Sequence, residues 1–100
     1  MKITRWTAQI GPKKDVILQL IQAEGLDFTE VEVTAGSKLS NLRTNMKEII
    51  QIIDGELIFN LSGTQFILRT GDKLEMPSNT LYSYSNLKNE SCVFLSAKTI

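Results

Sequence analysis

A chain of one hundred residues with 42% apolar side chains is sized for one domain around one core and is too apolar for a disordered segment. Its 11 Lys and Arg residues balance 11 Asp and Glu and are interspersed with them, so no basic stripe marks it for nucleic acid or for an anionic membrane surface. Histidine is absent and Cys92 is the only cysteine, which removes an internal disulfide, a structural zinc site and most histidine-dependent metal, base and triad chemistry.

Residues 2–6 read as a short strand. No apolar stretch follows them, so no secretory leader is expected, and the apolar runs fall far short of a membrane span. With its single cysteine the chain is expected to be cytoplasmic. Gly11-Pro12 then opens a helix, with Pro12 at the first helical position. Val16, Ile17, Leu20 and Ile21 recur at helical spacing on one face, and Gly25 is placed to end the helix.

From Phe28 the period changes to two: Thr29, Val31 and Val33 share one face, and Phe28, Glu30 and Glu32 share the other. Residues 46–53 form a strand running into Asp54-Gly55, a hairpin signal. Strands at 56–61, 65–68, 73–76, 81–85 and 92–97 follow. Turns at Ser62-Gly63, Thr70-Gly71-Asp72 and Pro77-Ser78-Asn79 separate the first four of these. Short strands with turns at such close intervals predict an antiparallel β-sandwich or barrel.

The spacing of Gly36, Leu42, Thr44, Glu48 and Gly55, and then of Gly71, Pro77, Asn79, Tyr82 and Asn86, resembles the two sequence motifs of the cupins. Gly36, Glu48 and Gly55 match the first motif, with Leu42 and Thr44 where its two histidines stand. Gly71, Pro77 and Asn86 match the second, with Asn79 in place of a glycine and Tyr82 in place of the third histidine. Asparagine tolerates positive φ better than most residues, so the change at Asn79 is mild. The resemblance implies an all-β, cupin-type antiparallel β-barrel, a double-stranded β-helix or jelly roll. It implies one cupin domain over residues 1–100, with a strand and helix in 1–25 and the barrel from about 28 to 100. The family's metal ligands would fall on Leu42, Thr44, Glu48 and Tyr82. Leucine cannot ligate, neutral threonine and tyrosine are poor ligands, and one carboxylate does not make a site. No metal and no cofactor are therefore expected.

Alternation places Leu42, Thr44, Met46, Glu48, Ile50 and Ile52 on one strand face, which the resemblance turns into the barrel. It turns Tyr82 and Tyr84 inward as well, with Asn86 beyond. Leu57, Phe59 and Leu61 form one apolar set, and Leu74 and Met76 another. The expected picture is an apolar cavity for a small organic ligand, lined by Leu42, Thr44, Glu48, Phe59, Met76, Tyr82 and Tyr84, with Glu48 and Tyr82 facing each other. Simpler roles stand beside this: Glu48 and Tyr82 as a satisfied structural pair, Cys92 as a small buried hydrophobe, Trp6 as core or subunit interface, and Lys38, Arg43 and Lys47 as solvated surface. Three functions remain open: a metal-free binding module; a metal-free isomerase, epimerase or lyase with Glu48 as base and Tyr82 as acid; and a barrel kept for dimerisation or partner contact. A homodimer is expected, with the N-terminal strand pairing to a neighbouring subunit's sheet.

Overall fold

Two antiparallel sheets face each other, and the two-residue period of the strands decides which side chains lie between them. The computed structural model describes residues 1–7, 11, 13–25 and 27–99. Pro12, expected at the helix entry, lies outside the described residues. In chain order the elements are β1 (Lys2–Thr4), α1 (Lys14–Ala23), β2 (Thr29–Val33), β3 (Lys38–Arg43), β4 (Lys47–Asp54), β5 (Glu56–Leu61), β6 (Thr64–Arg69), β7 (Lys73–Met76), β8 (Leu81–Ser85) and β9 (Cys92–Thr99). One sheet runs β1-β7-β4-β9-β2 and the other β3-β8-β5-β6.

The inward residues form one apolar cluster that includes Ile50, Ile52, Phe59, Leu74, Met76 and Phe94. Each side chain of this kind contributes about 1.5–3 kcal/mol when fully buried. β4 is buried on both faces, because α1 covers its outer side. There Ile53 meets Ile17 and Ile21 of the helix and Leu95 of β9, with Trp6 packed against them. Leu20, expected on the buried helix face, is 53% exposed. The buried face is centred on Ile17, Ile21 and Leu18, and at 3.6 residues per turn Leu20 falls outside it. The helix stops as expected: Gly25 takes φ +71° and donates its N–H to the Gln22 carbonyl.

Every connection from β2 to β9 except the β5–β6 hairpin carries the chain from one sheet to the other. In that hairpin Ser62 and Gly63 take φ of 51° and 89°, and the Gly63 N–H donates to Asn60 Oδ1 at 3.0 Å. The hairpin expected at Asp54-Gly55 is instead a corner: β4 pairs with β7 and β9, whereas β5 pairs with β6 and β8. Gly55 takes φ +100° there, and a Cβ on it would stand 3.0 Å from the Cys92 Cα. Gly36, Gly71 and Asn79 take positive φ at three other corners. Asn86 is a fully buried staple. Its Nδ2 donates to the carbonyls of Val33 (3.0 Å) and Glu90 (2.8 Å), and its Oδ1 accepts the Lys88 N–H at 3.0 Å.

The sequence reading contained no strand at β3. Its register on β8 shifts between Leu39 and Leu42, where Asn41 takes φ 58°. The continuous face expected from Leu42 to Ile52 is therefore broken. Leu42 ends up in the four-stranded sheet and Glu48 in the five-stranded one, with residues 44–46 turning between them. β1 pairs antiparallel with β7 of its own chain, Ile3 opposite Leu74, and stands at the edge of the five-stranded sheet. Asp72 fastens the segment that follows: it accepts from Arg5 Nη1 (2.7 Å), the Trp6 N–H (3.1 Å) and the Arg69 N–H (3.0 Å). Among the described residues no helix is long and apolar enough to cross a membrane.

Candidate functional site at the barrel mouth

Glu48 and Tyr82 come from opposite sheets and meet at one end of the barrel. Glu48 opens the inward row of β4, between Met76 of β7 and Lys98 of β9. Tyr82 sits on β8 between Leu42 of β3 and Leu61 of β5. The Glu48 side chain is 7% exposed, and its Oε2 accepts a hydrogen bond from Ser96 Oγ at 3.0 Å. Ser96 was missed in the sequence. Its alternation with Cys92 and Phe94 puts it inward on β9, but a lone serine there carries no sign of a partner on β4.

The Tyr82 phenol feels this acid directly. Burial first, then the Glu48 charge, then Tyr84 and a hydrogen bond with Glu48 push its pKa up to about 12. The hydrogen bond is the smallest of these causes, and the well-aligned donor to Glu48 is Ser96. Tyr84 is raised as well, by burial and then by the same Glu48 charge. Both phenols thus keep their protons at neutral pH and face a carboxylate. Among the described residues Glu48 makes no ion pair. Lys98, directly across the β4–β9 pair, is exposed and makes none either, and Lys47 pairs instead with Glu75 at 3.9 Å.

The remaining expected lining divides. Phe59 and Met76 are fully buried and form the floor. The Phe59 ring lies 5.5 Å from that of Tyr84 and 6.5 Å from that of Tyr82, stacked on the latter at 21°. Leu42 is half-buried against this core and forms part of the rim. Thr44 does not join it: its hydroxyl donates to the Pro77 carbonyl and accepts the Thr80 N–H, both at 2.8 Å, and so holds the β7–β8 turn. Where the sequence led us to expect a cavity, Phe59, Tyr84 and Phe94 pack against one another below Glu48 and Tyr82.

The donor set does not fit a divalent metal. Leu42 offers no lone pair, the Thr44 hydroxyl is turned into the turn it braces, the Tyr82 phenol is held protonated, and Glu48 alone remains. Cys92 is buried, and burial followed by the charges of Asp54 and Glu56 pushes its thiol up to about 12, far from a reactive thiolate. Arg43 is an exposed side chain tied to Asn79 Oδ1 at 2.9 Å.

A groove of about 680 Å³ lies at the corners beside Gly55, lined by Glu56, Arg69, Thr70, Lys88 and Glu90 among others. Arg69 pairs with Glu56 there at 3.5 Å and Lys88 with Glu56 at 3.8 Å, and Glu90 is exposed to solvent. The unpaired acid at the barrel mouth, Glu48, is buried instead.

The fold resembles that of a conserved protein of unknown function from Streptococcus pyogenes, with TM-score 0.64 and 13% identity over 75% of this chain and 65% of that one. It resembles a Cupin 2 conserved barrel domain protein from Salinispora arenicola, with TM-score 0.64 and 15% identity over 72% of this chain and 61% of that one. This chain spans less than two thirds of the length of either. A cupin superfamily protein from Desulfitobacterium hafniense aligns over 99% of this chain and 78% of its own, with TM-score 0.66 and 11% identity, an alignment that extends beyond the barrel to the N-terminal segment. At these identities the likeness is one of fold. No curated protein matches the chain. The family model for the cupin domain matches residues 29–98, the span from β2 into β9 that carries both motifs and both sheets apart from β1, and the chain belongs to the cupin domain family.

Proposed function

We propose that this cupin is a binding module that holds a small organic ligand at the barrel mouth, with Glu48 and Tyr82 as its polar anchors. One observation carries the reading. Among the described residues five polar or charged ones are buried: Thr44, Glu48, Gln51, Asp72 and Asn86. Four of them bond backbone groups and hold turns or corners in place, Gln51 through the Gly71 carbonyl at 2.6 Å. Glu48 is bonded by two side-chain hydroxyls, those of Ser96 and Tyr82, and braces no backbone among the described residues. Burying a carboxylate costs free energy, and here no structural return offsets it. The half-buried Leu42 and Tyr82 supply the apolar wall beside it, as small-molecule sites require.

The test is a ligand screen by thermal shift on the wild-type chain and on Glu48→Gln. Ligands that stabilise the first and not the second support the reading. A panel that stabilises both equally, or neither, removes it.

Turnover ranks below binding, because a phenol raised to about 12 donates a hydrogen bond more readily than a proton. Contact with a second copy or another partner is a second reading, favoured by the filled interior. Light scattering that reports only monomer at tens of micromolar counts against a homodimer.

A further inference from the structure

The charge balance at the mouth indicates what the ligand must bring. Glu48 is nearly buried, is hydrogen-bonded only by neutral hydroxyls, those of Ser96 and Tyr82, and has no cation within ion-pair distance among the described residues. Around it stand protonated phenols and aromatic faces, Tyr82 stacked over Phe59 and Tyr84 tilted against it. A carboxylate or phosphate ligand would set a second negative charge against an acid that already lacks a partner. A neutral ligand would leave that acid uncompensated. A positive centre attached to a carbon skeleton meets both demands, because a cation pairs with a desolvated carboxylate and is attracted to ring faces.

We propose that the barrel mouth takes a small organic cation, an alkylammonium or quaternary ammonium group, whose positive centre pairs with Glu48 while its carbon skeleton lies against Tyr82. The proposal rests on the ligand-binding reading above and adds the chemical class. Lys98 enters the same account. It is the residue opposite Glu48 on β9, it is exposed and makes no ion pair, and it is the nearest tethered competitor for the acid.

Amide chemical shifts of the full chain, titrated with butylammonium, tetramethylammonium, butanol and butyrate, test this. The expected result is that the two ammonium probes shift Leu42, Tyr82 and Ser96 and saturate at about tenfold lower concentration than butanol. Added salt should weaken them. Glu48→Gln should reduce butylammonium to the level of butanol, and Lys98→Met should tighten both cations. If Glu48→Gln does not fold, the salt dependence and Lys98→Met still decide. Equal saturation by butanol and butylammonium, or ammonium shifts that survive Glu48→Gln, overturns the cation class and leaves the ligand-binding reading in place. If no probe moves those three residues, both fall together.

Discussion

Asp72 joins parts of the chain that lie far apart in sequence, and removing its carboxylate should loosen both. It is 6% exposed and accepts three donors: Arg5 Nη1, the Trp6 N–H and the Arg69 N–H. The first two belong to the segment after β1, the third to the end of β6. Asp72→Ala leaves two backbone N–H groups without their charged acceptor. Hydrogen bonds to a charged group are worth about 1.5–3 kcal/mol each, and loss of the two together should cost about 3 kcal/mol, since neighbouring losses do not simply add. The Arg5 side chain is 49% exposed, so its ion pair is screened and adds under about 1 kcal/mol. For a domain of this size, 1 kcal/mol shifts Tm by about 4–8 °C, so Asp72→Ala should melt about 12–24 °C lower and Arg5→Ala only a few degrees lower. Thermal and urea unfolding of both variants and of the double variant measure this directly. If the two single variants lose the same stability, the backbone bonds to Asp72 carry little and this reasoning is wrong.

At the Gly55 corner, Gly55→Ala must place a Cβ 3.0 Å from the Cys92 backbone at a φ of +100°; a loss of about 2–4 kcal/mol in urea unfolding is expected, and a neutral result would show that the corner can shift. For Tyr82, the folded pKa of about 12 lies above the ordinary 10.0, so between those values the unfolded chain has lost a proton that the folded chain keeps. Stability from this group is present in full below about pH 10 and falls as pH rises towards about 12; phenolate absorbance should show the late titration, and Glu48→Gln should bring it earlier. Two tyrosines that titrate together at their ordinary value would contradict the burial and charge assigned to the mouth.

The positions easiest to identify in the sequence were those where one residue type answers a local backbone demand. Gly36, Gly55, Gly71 and Asn79 all take positive φ at places where the chain changes sheet, and these are four of the positions that carry the cupin resemblance. What such a signal cannot tell is which strands the turn connects. Asp54-Gly55 reads the same whether it closes a hairpin or turns a corner, because pairing is decided by distant partners, here β7 and β9 for the one strand and β6 and β8 for the other. β3 was invisible for a different reason. It is an edge strand, mostly exposed, and its bulge at Asn41 places Leu39 and Leu42, the partners of Tyr84 and Tyr82 on β8, three residues apart, which erases the alternation by which strands are recognised. At the site, Glu48 and Tyr82 were legible because the two motifs align them. Ser96 was not, because its role depends on the register of β9 against β4.

Whether Glu48 belongs to the fold or to a function can be decided by stability alone. Asn86 sits among backbone groups it must satisfy, and replacing it with leucine should cost several hydrogen bonds at once. Glu48 has a different environment: Met76 beside it on β7, the Ser96 hydroxyl and the Tyr82 phenol as hydrogen-bond partners, and no backbone partner among the described residues. Glu48→Leu removes a buried charge, keeps a side chain of comparable bulk, and leaves only the Ser96 and Tyr82 hydroxyls to find other acceptors. Exchanges of buried charge for apolar bulk are often stabilising, and about 1 kcal/mol of gain is expected in the urea midpoint with an unchanged slope. A fold that would be firmer without its own acid keeps that acid for something other than folding, at the cost of stability. A loss as large as that of Asp72→Ala would reverse the inference: Glu48 would then be a structural residue, and the barrel mouth would lose its claim to be a site.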